Sequence, residues 1–304
     1  PVYGLGHFPD GRPFYAMRFI RGQSLHGAIQ EFHDASQTAE NVTYNSNRAF
    51  RDLINRLIDV CNAIGYAHSR KVLHRDLKPG NIMLGKFGET LVVDWGLAKA
   101  QGMEEPLDRS IDGDLPIVPA SSSQSAPTMS GSAIGTPAYM SPEQAEGKLD
   151  LLGPASDIYS LGATLYEILT GQAPLKGLKV AEILKRVSTG DIPNPRDLNP
   201  LAPLALQAIC RKSMALQPQD RYATAKALAD DLEAWLADEP VSAWPEPLVV
   251  RVRRWAKRNQ TLVSSTAAAV LMAASHSIRC GGCAVQTAAA ANMGKARNMI
   301  KAGS

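Results

Sequence analysis

An α+β chain is predicted, with its strands gathered toward the N-terminus and a helical body behind them. Three observations lead there. Apolar and aromatic runs at 2–8 and 13–20 flank Pro9-Asp10-Gly11-Arg12, turn chemistry that joins strands into a hairpin. Phe50, Leu53, Ile54, Leu57, Ile58, Cys61, Ile64 and His68 then recur at spacings of three and four, the signature of a long amphipathic helix. Beyond residue 155 the same spacing returns in four further stretches.

In chain order, the first hairpin gives way at Gly22 to a polar stretch that runs to about Arg48. The long helix follows. After it come Ile82-Met83-Leu84 and Leu91-Val92-Val93, two short apolar runs separated by Gly85 to Gly88, which read as a small hairpin ending in Asp94-Trp95-Gly96. Residues 100–133 include SSSQSAPTMSGS and carry no apolar period, so a mobile loop is expected there. Order is expected to resume at GTPAYMSPEQA, 135–145. Ser156 can cap a helix whose apolar face is Ile158, Leu161, Leu165, Ile168 and Leu169, and Gly171 ends it. Further helices are expected at about 179–189, 203–214 and 224–237.

Composition sets limits. The 304 residues are 45% hydrophobic, enough for a substantial core. A net charge of +3 argues against a general nucleic-acid binder. Cys61 and Cys210 fall on apolar helical faces and read as small core residues. Cys280 and Cys283 form a lone C-x-x-C, short of the ligands a zinc site needs. After Pro240 the character changes. Arg251, Arg253, Arg254, Lys257 and Arg258 precede an apolar stretch, 261–275, that is shorter than the roughly 20 residues of a spanning helix.

The densest chemistry lies in His74-Arg75-Asp76-Leu77-Lys78-Pro79-Gly80-Asn81, a segment poor for helix or strand. Asp76 can orient a hydroxyl and accept its proton. Lys78 can neutralise a transferring phosphate. Asn81 and Asp94 offer the hard oxygens that magnesium prefers, and Gly96 lets the chain turn beside Asp94. Positioning and charge neutralisation are what phosphoryl transfer needs most. A lone Asp-x-Lys is more simply a surface ion pair. The full string, followed by Asp94-Trp95-Gly96 and then Ser141-Pro142-Glu143, is not so easily dismissed.

With these three motifs in order, roughly residues 1–239 resemble a Hanks-type (eukaryotic-like) serine/threonine protein kinase of the bacterial, membrane-anchored sort. HRDLKPGN resembles its catalytic loop. Trp95 stands where that family has Phe, and Ser141 where it has Ala. The resemblance implies ATP and magnesium as cofactors, and proteins bearing serine or threonine as substrates, the kinase itself among them. Asp76 would be the catalytic base, Lys78 the phosphate-stabilising lysine, and Asn81 and Asp94 the metal ligands. Met17 would back the adenine pocket, Arg18, Phe19 and Ile20 would form the hinge, and Met83 would floor the pocket, although either methionine reads equally well as plain core. His74 and Trp95 would pack in the core that links the lobes. Arg75 would bind a phosphate carried at Ser132, Thr128 or Ser130. Thr136 would contact the base and Lys78, as in serine/threonine rather than tyrosine kinases. Asp157 would hold the catalytic-loop backbone, and Glu143 would pair with Arg221.

The same resemblance exposes a gap. No G-x-G-x-x-G followed by a strand lysine and a helix glutamate precedes Met17. The expected organisation is therefore a partial kinase domain over 1–239. It would hold the end of the small lobe and the hinge at 1–22, the large lobe at 23–239, and the 100–133 insertion in the activation segment. A basic juxtamembrane linker would follow at 240–258, then a truncated membrane-spanning helix at 259–275 and a tail at 276–304 of no assigned role. The positive-inside rule would leave the kinase domain in the cytoplasm, anchored to the inner membrane. Two other readings stay open: a catalytically inactive docking or scaffold module, and a metal-dependent phosphotransferase acting on small molecules.

Overall fold

The computed structural model describes residues 2–17, 22–37, 44, 46–95, 99–100, 136–247, 250–252, 254–255 and 259. By internal packing the chain divides into 1–245 and 246–304.

The first unit is an α+β assembly, mostly helical. Strands β1 (Val2–His7) and β2 (Pro13–Met17) form the expected antiparallel hairpin around the Pro-Asp-Gly turn. A three-stranded antiparallel sheet follows, β3 (Gln23–Ser24) against β5 (Ile82–Leu84) against β6 (Thr90–Val92). A third small pair joins β4 (Val72–Leu73) to β7 (Lys99–Ala100). Gly22 makes the first of these pairings possible. Its φ of 156° suits glycine, and a Cβ there would lie 2.2 Å from the Leu84 carbonyl oxygen.

Helix α1 (Leu25–Gln37) occupies part of the stretch read from sequence only as polar, with no element assigned. Leu25, Ile29 and Phe32 do recur at helical spacing, and all three are buried. The polar residues between them masked the pattern, because several of them also face protein. Helix α2 (Arg48–Ser69) is the long amphipathic helix; the side chain of Asn47 accepts a hydrogen bond from the Phe50 amide and caps its start. Its buried face runs from Phe50 to Ala67. Each large side chain there contributes about 1.5–3 kcal/mol by leaving water.

Four-residue α3 (Pro142–Ala145) carries the Ser-Pro-Glu motif and is capped reciprocally by Ser141 and Gln144. Helix α4 (Pro154–Thr170) is buried nearly all round, from Ser156 to Leu169. It starts two residues before the expected cap. Pro154 takes the first turn, where its missing N–H costs nothing, and the Ser156 hydroxyl accepts from the Gly153 amide instead, at 3.3 Å. Around α4 stand α5 (Val180–Thr189), α6 (Pro195–Leu198), α7 (Leu204–Ser213) and α8 (Ala225–Leu236). Residues 241–244 continue this packing. Asp231 of α8 accepts from the Tyr222 hydroxyl at 2.6 Å and from the Ser242 amide at 2.6 Å. It also accepts from the Ser242 hydroxyl at 2.8 Å and the Ala243 amide at 3.1 Å, and Val241 is buried.

Of the second unit, the described residues show Glu246 paired with Arg254, and the Asn259 amide donating to the Trp255 carbonyl. Among the described residues no helix is long and apolar enough to cross a membrane. The candidate span 259–275 lies outside them apart from Asn259, as do residues 101–133 of the insertion, whose first residue, Ala100, ends β7, and the tail with Cys280 and Cys283.

Candidate active site

The segment His74–Asn81 runs from the end of β4 through the short 3₁₀ turn Pro79–Asn81, and its shape is set from beneath. Asp157, one turn into α4 and buried, accepts from the His74 amide at 3.0 Å and the Arg75 amide at 2.9 Å. A third bond comes from the ring of His68 in α2, at 2.8 Å. Gln144 of α3 donates to the Arg75 carbonyl at 2.8 Å. Two helices and a motif far along the chain thus hold a segment with no regular structure of its own. Backbone donors directed at one carboxylate satisfy groups that burial would otherwise leave orphaned.

His74 is fully buried beneath this loop. Burial pushes its pKa down, against the opposing pull of Asp157 and the Val93 carbonyl. The neutral ring with its proton on Nε2 suits both neighbours: Nε2 donates to the Val93 carbonyl at 3.1 Å, and Nδ1 accepts from the Asp76 amide at 3.4 Å. Trp95 lies against His74 with ring centroids 4.6 Å apart and donates its indole N–H to the Val92 carbonyl, yet over a third of it stays exposed.

Asp76 is the centre of convergence. Its Oδ2 accepts from Lys78 Nζ at 2.8 Å and from the Asn81 amide nitrogen at 3.3 Å. Its Oδ1 accepts from the Thr136 backbone amide at 2.9 Å. Lys78 Nζ also donates to the Thr136 hydroxyl, at 2.6 Å. Asp76, Lys78, Asn81 and Thr136 therefore form one cluster, although Thr136 is 60 positions from Asp76. The Asp76 side chain keeps a tenth of its surface in water and Lys78 about a quarter, so the cluster opens outward.

The Asn81 amide nitrogen is committed to the Asp76 carbonyl, at 2.9 Å, as well as to its carboxylate. That orientation leaves the amide oxygen as an acceptor. Asp94, at a left-handed φ of 61°, is exposed. An amide oxygen and a carboxylate are a donor set that fits magnesium, which takes few protein ligands and keeps several waters.

Glu143 and Arg221 meet through two bonds of 2.8 and 2.9 Å, with the Glu143 side chain 5% and the Arg221 side chain 0% exposed. Arg221 completes its donors on the Ala215, Ala155 and Leu216 carbonyls, and the Ser156 hydroxyl donates to Glu143 at 2.7 Å. Burial opposes ionisation of Glu143. The bonds and charge of Arg221 outweigh it and hold the carboxyl below its usual range.

Not every expected site residue is brought into view. Arg18, Phe19, Ile20, Gly96, Thr128, Ser130 and Ser132 lie outside the described residues. Met17 ends β2 by its backbone, and Met83 is half-buried in the middle of β5. Sequence reasoning missed His68, Tyr139, Gln144 and Glu167. Each is a polar residue on a buried helical face or in a motif's interior, and that burial was the available signal.

Comparison with known proteins agrees with this geometry. A family described as protein kinase domain matches residues 15–232. The serine/threonine-protein kinase PknD of Protochlamydia amoebophila is 36% identical over 248 residues, covering 80% of this chain and 24% of the relative. PknD of Chlamydia pneumoniae is also 36% identical over 248 residues, covering 79% and 25%. The probable serine/threonine-protein kinase PknB of Bifidobacterium longum is 34% identical over 253 residues, covering 81% and 32%. The chain thus spans about a quarter to a third of the length of these relatives. An Asp-Lys-Asn-Thr cluster seated on a buried aspartate, a locked Glu-Arg pair and a match across all of the large helical body lead to one assignment: the chain belongs to the protein kinase domain family.

Proposed function

We propose that this chain carries out protein serine/threonine phosphorylation with magnesium ATP. The observation that carries the reading is the Asp76 carboxylate, bonded at once to Lys78, Asn81 and the Thr136 amide. Three donors fix the carboxylate's direction, which suits a base that must meet an acceptor hydroxyl in one orientation. Lys78, shared between Asp76 and Thr136, is placed to offset charge on the transferred phosphoryl group. The Thr136 hydroxyl on this lysine favours serine and threonine acceptors. Asn81 and Asp94 would hold magnesium, which would neutralise phosphate oxygens when bound. Arg18 to Ile20 would supply backbone groups to adenine, with Met17 and Met83 lining its pocket.

Protein substrates, autophosphorylation at Thr128, Ser130 or Ser132 with Arg75 as the receiving cation, and a cytoplasmic domain anchored to the inner membrane complete the proposal. Its support is the family resemblance, the basic run at 251–258 and the left-handed turn at Arg75, φ 70°. The competing reading is a docking module that binds partners without transferring phosphate.

Transfer of labelled γ-phosphate to a general serine/threonine acceptor protein separates the two. Asp76→Asn should lower transfer by about 10²–10⁴-fold while leaving the fold intact. Equal transfer by the variant removes Asp76 from its role, and no transfer even when a glycine-rich loop and strand lysine are supplied ahead of the chain favours the docking module. Lacking a glycine-rich phosphate cover, the chain should bind magnesium ATP more weakly in calorimetry than a kinase that has one.

A further inference from the structure

We propose that His26, on α1, is a positioning residue for the strip 136–140, which begins with Thr136 of the Asp76 cluster. It rests on the kinase reading above only for the strip's role toward substrate.

Glu167 of α4 is fully buried. Its Oε1 lies 2.6 Å from His26 Nδ1, and its Oε2 accepts from the Tyr139 hydroxyl. Among the described residues His26 is the side chain that meets the other oxygen of this carboxylate. The His26 side chain is itself 55% exposed, so its ring is the cover between Oε1 and solvent. Its loss would open to water the carboxylate that holds Tyr139. Tyr139 stands three residues after Thr136, which bonds both Asp76 and Lys78. The strip is thus fastened at one end to the catalytic cluster and at the other to Glu167, with a further bond from the Ser160 hydroxyl to the Tyr139 carbonyl at 2.8 Å.

His26 is not placed by a free rotamer alone. Three side chains on one face of α1 all engage the C-terminal end of α4: His26 at Glu167, Gln30 at the Gly171 carbonyl (2.9 Å), and His33 at the Ile168 carbonyl (3.0 Å). Gly171, with φ 76°, lets the His33 ring lie close; a Cβ there would meet the ring at 2.8 Å. Helix α1 is in turn continuous with β3, which pairs with the strand that leaves Asn81. The relay His26–Glu167–Tyr139 therefore ties the strip to the same α1–β3–β5 unit that carries the metal-ligand candidate.

The test is backbone hydrogen exchange over 136–141 in the whole chain, comparing wild type with His26→Leu, His26→Gln and Tyr139→Phe. Leucine fills the space without a donor, and glutamine keeps an N–H for Glu167. Exchange over 136–141 should quicken by about tenfold or more in His26→Leu and Tyr139→Phe and stay near wild type in His26→Gln. Residues 225–236 of α8 should be unchanged throughout. Unchanged exchange in His26→Leu overturns the proposal. So does equal loss in Leu and Gln variants, which would make His26 mere packing. If His26→Leu loosens the whole domain, His26→Phe decides in its place, since it keeps a ring on α1 and removes the N–H; unchanged exchange over 136–141 in that variant overturns the proposal. Where transfer is measurable, the His26→Leu variant should raise KM for acceptor peptide more than it lowers kcat. Absence of transfer counts against the kinase reading and leaves the exchange result standing.

Discussion

The guanidinium of Arg221 lies flat against the carboxylate of Glu143 with both groups shut off from water, although 78 positions separate them. Glu143 belongs to the short helix that also delivers Gln144 to the Arg75 carbonyl. The pair fastens α3 to the turn before α8. Buried pairs of this kind add little net stability over an apolar replacement, but losing one partner strands the other.

Arg221→Met should therefore destabilise the domain by about 3–5 kcal/mol, read as a lowered midpoint in urea unfolding. The double variant Arg221→Met with Glu143→Leu should regain part of that loss. A double variant as unstable as the single one would show that Arg221 acts mainly through its three carbonyl contacts.

Acid should weaken the fold through two carboxyls. Glu143 and Asp231 both sit below their ordinary range; burial resists ionisation in each, and their hydrogen bonds overcome it. Arg221 and Ser156 supply those bonds to Glu143, and Tyr222, Ser242 and Ala243 supply them to Asp231. A depressed folded pKa stabilises fully above the unfolded value of about 4, and the benefit is lost as pH falls through the folded value. Thermal midpoints should be flat above about pH 5 from these groups and then drop. In Asp231→Asn the drop should be shallower, and an unchanged slope would exclude Asp231 as a contributor.

Gly22→Ala should detach β3 from β5. The substitution combines an unfavourable φ with a Cβ lodged 2.2 Å from the Leu84 oxygen, so relief requires the backbone to move. Hydrogen exchange should quicken at 82–84 and in the first turn of α1, with the core of α2 unaffected. Protection retained at 82–84 would mean that the sheet absorbs the intrusion.

The catalytic segment was legible because its chemistry is contiguous: Asp76, Lys78 and Asn81 fall within six residues, and no folding is needed to see them together. The long helix was legible because one face of α2 is apolar and the other is not. Helix α1 was not, since Gln30 and His33 look like solvent-facing residues until α4 is packed against them, and His26 stays exposed while it meets Glu167. Asp231 escaped notice for a related reason. An acid in an amphipathic helix reads as surface, and only the return of 241–243 shows what it binds. The partners of Asp157 were beyond reach of spacing alone, because His68, His74 and Arg75 arrive from two different elements.

The bonds at Asp157 bear on what keeps the site from relaxing. Arg75 and Asp94 both adopt left-handed backbone, φ 70° and 61°, a conformation that costs a non-glycine residue on the order of 1–3 kcal/mol. The Arg75 amide is one of the two that Asp157 grips from below. The strained turn at Arg75 is thus clamped from beneath, by Asp157 at its amide and by Gln144 at its carbonyl. Loss of the Asp157 carboxylate would strand the buried His74 and Arg75 amides and free the turn that precedes Asp76. A change at the start of α4 can therefore reach the Asp76 cluster without touching any of its members, a leverage set by the chain's own architecture.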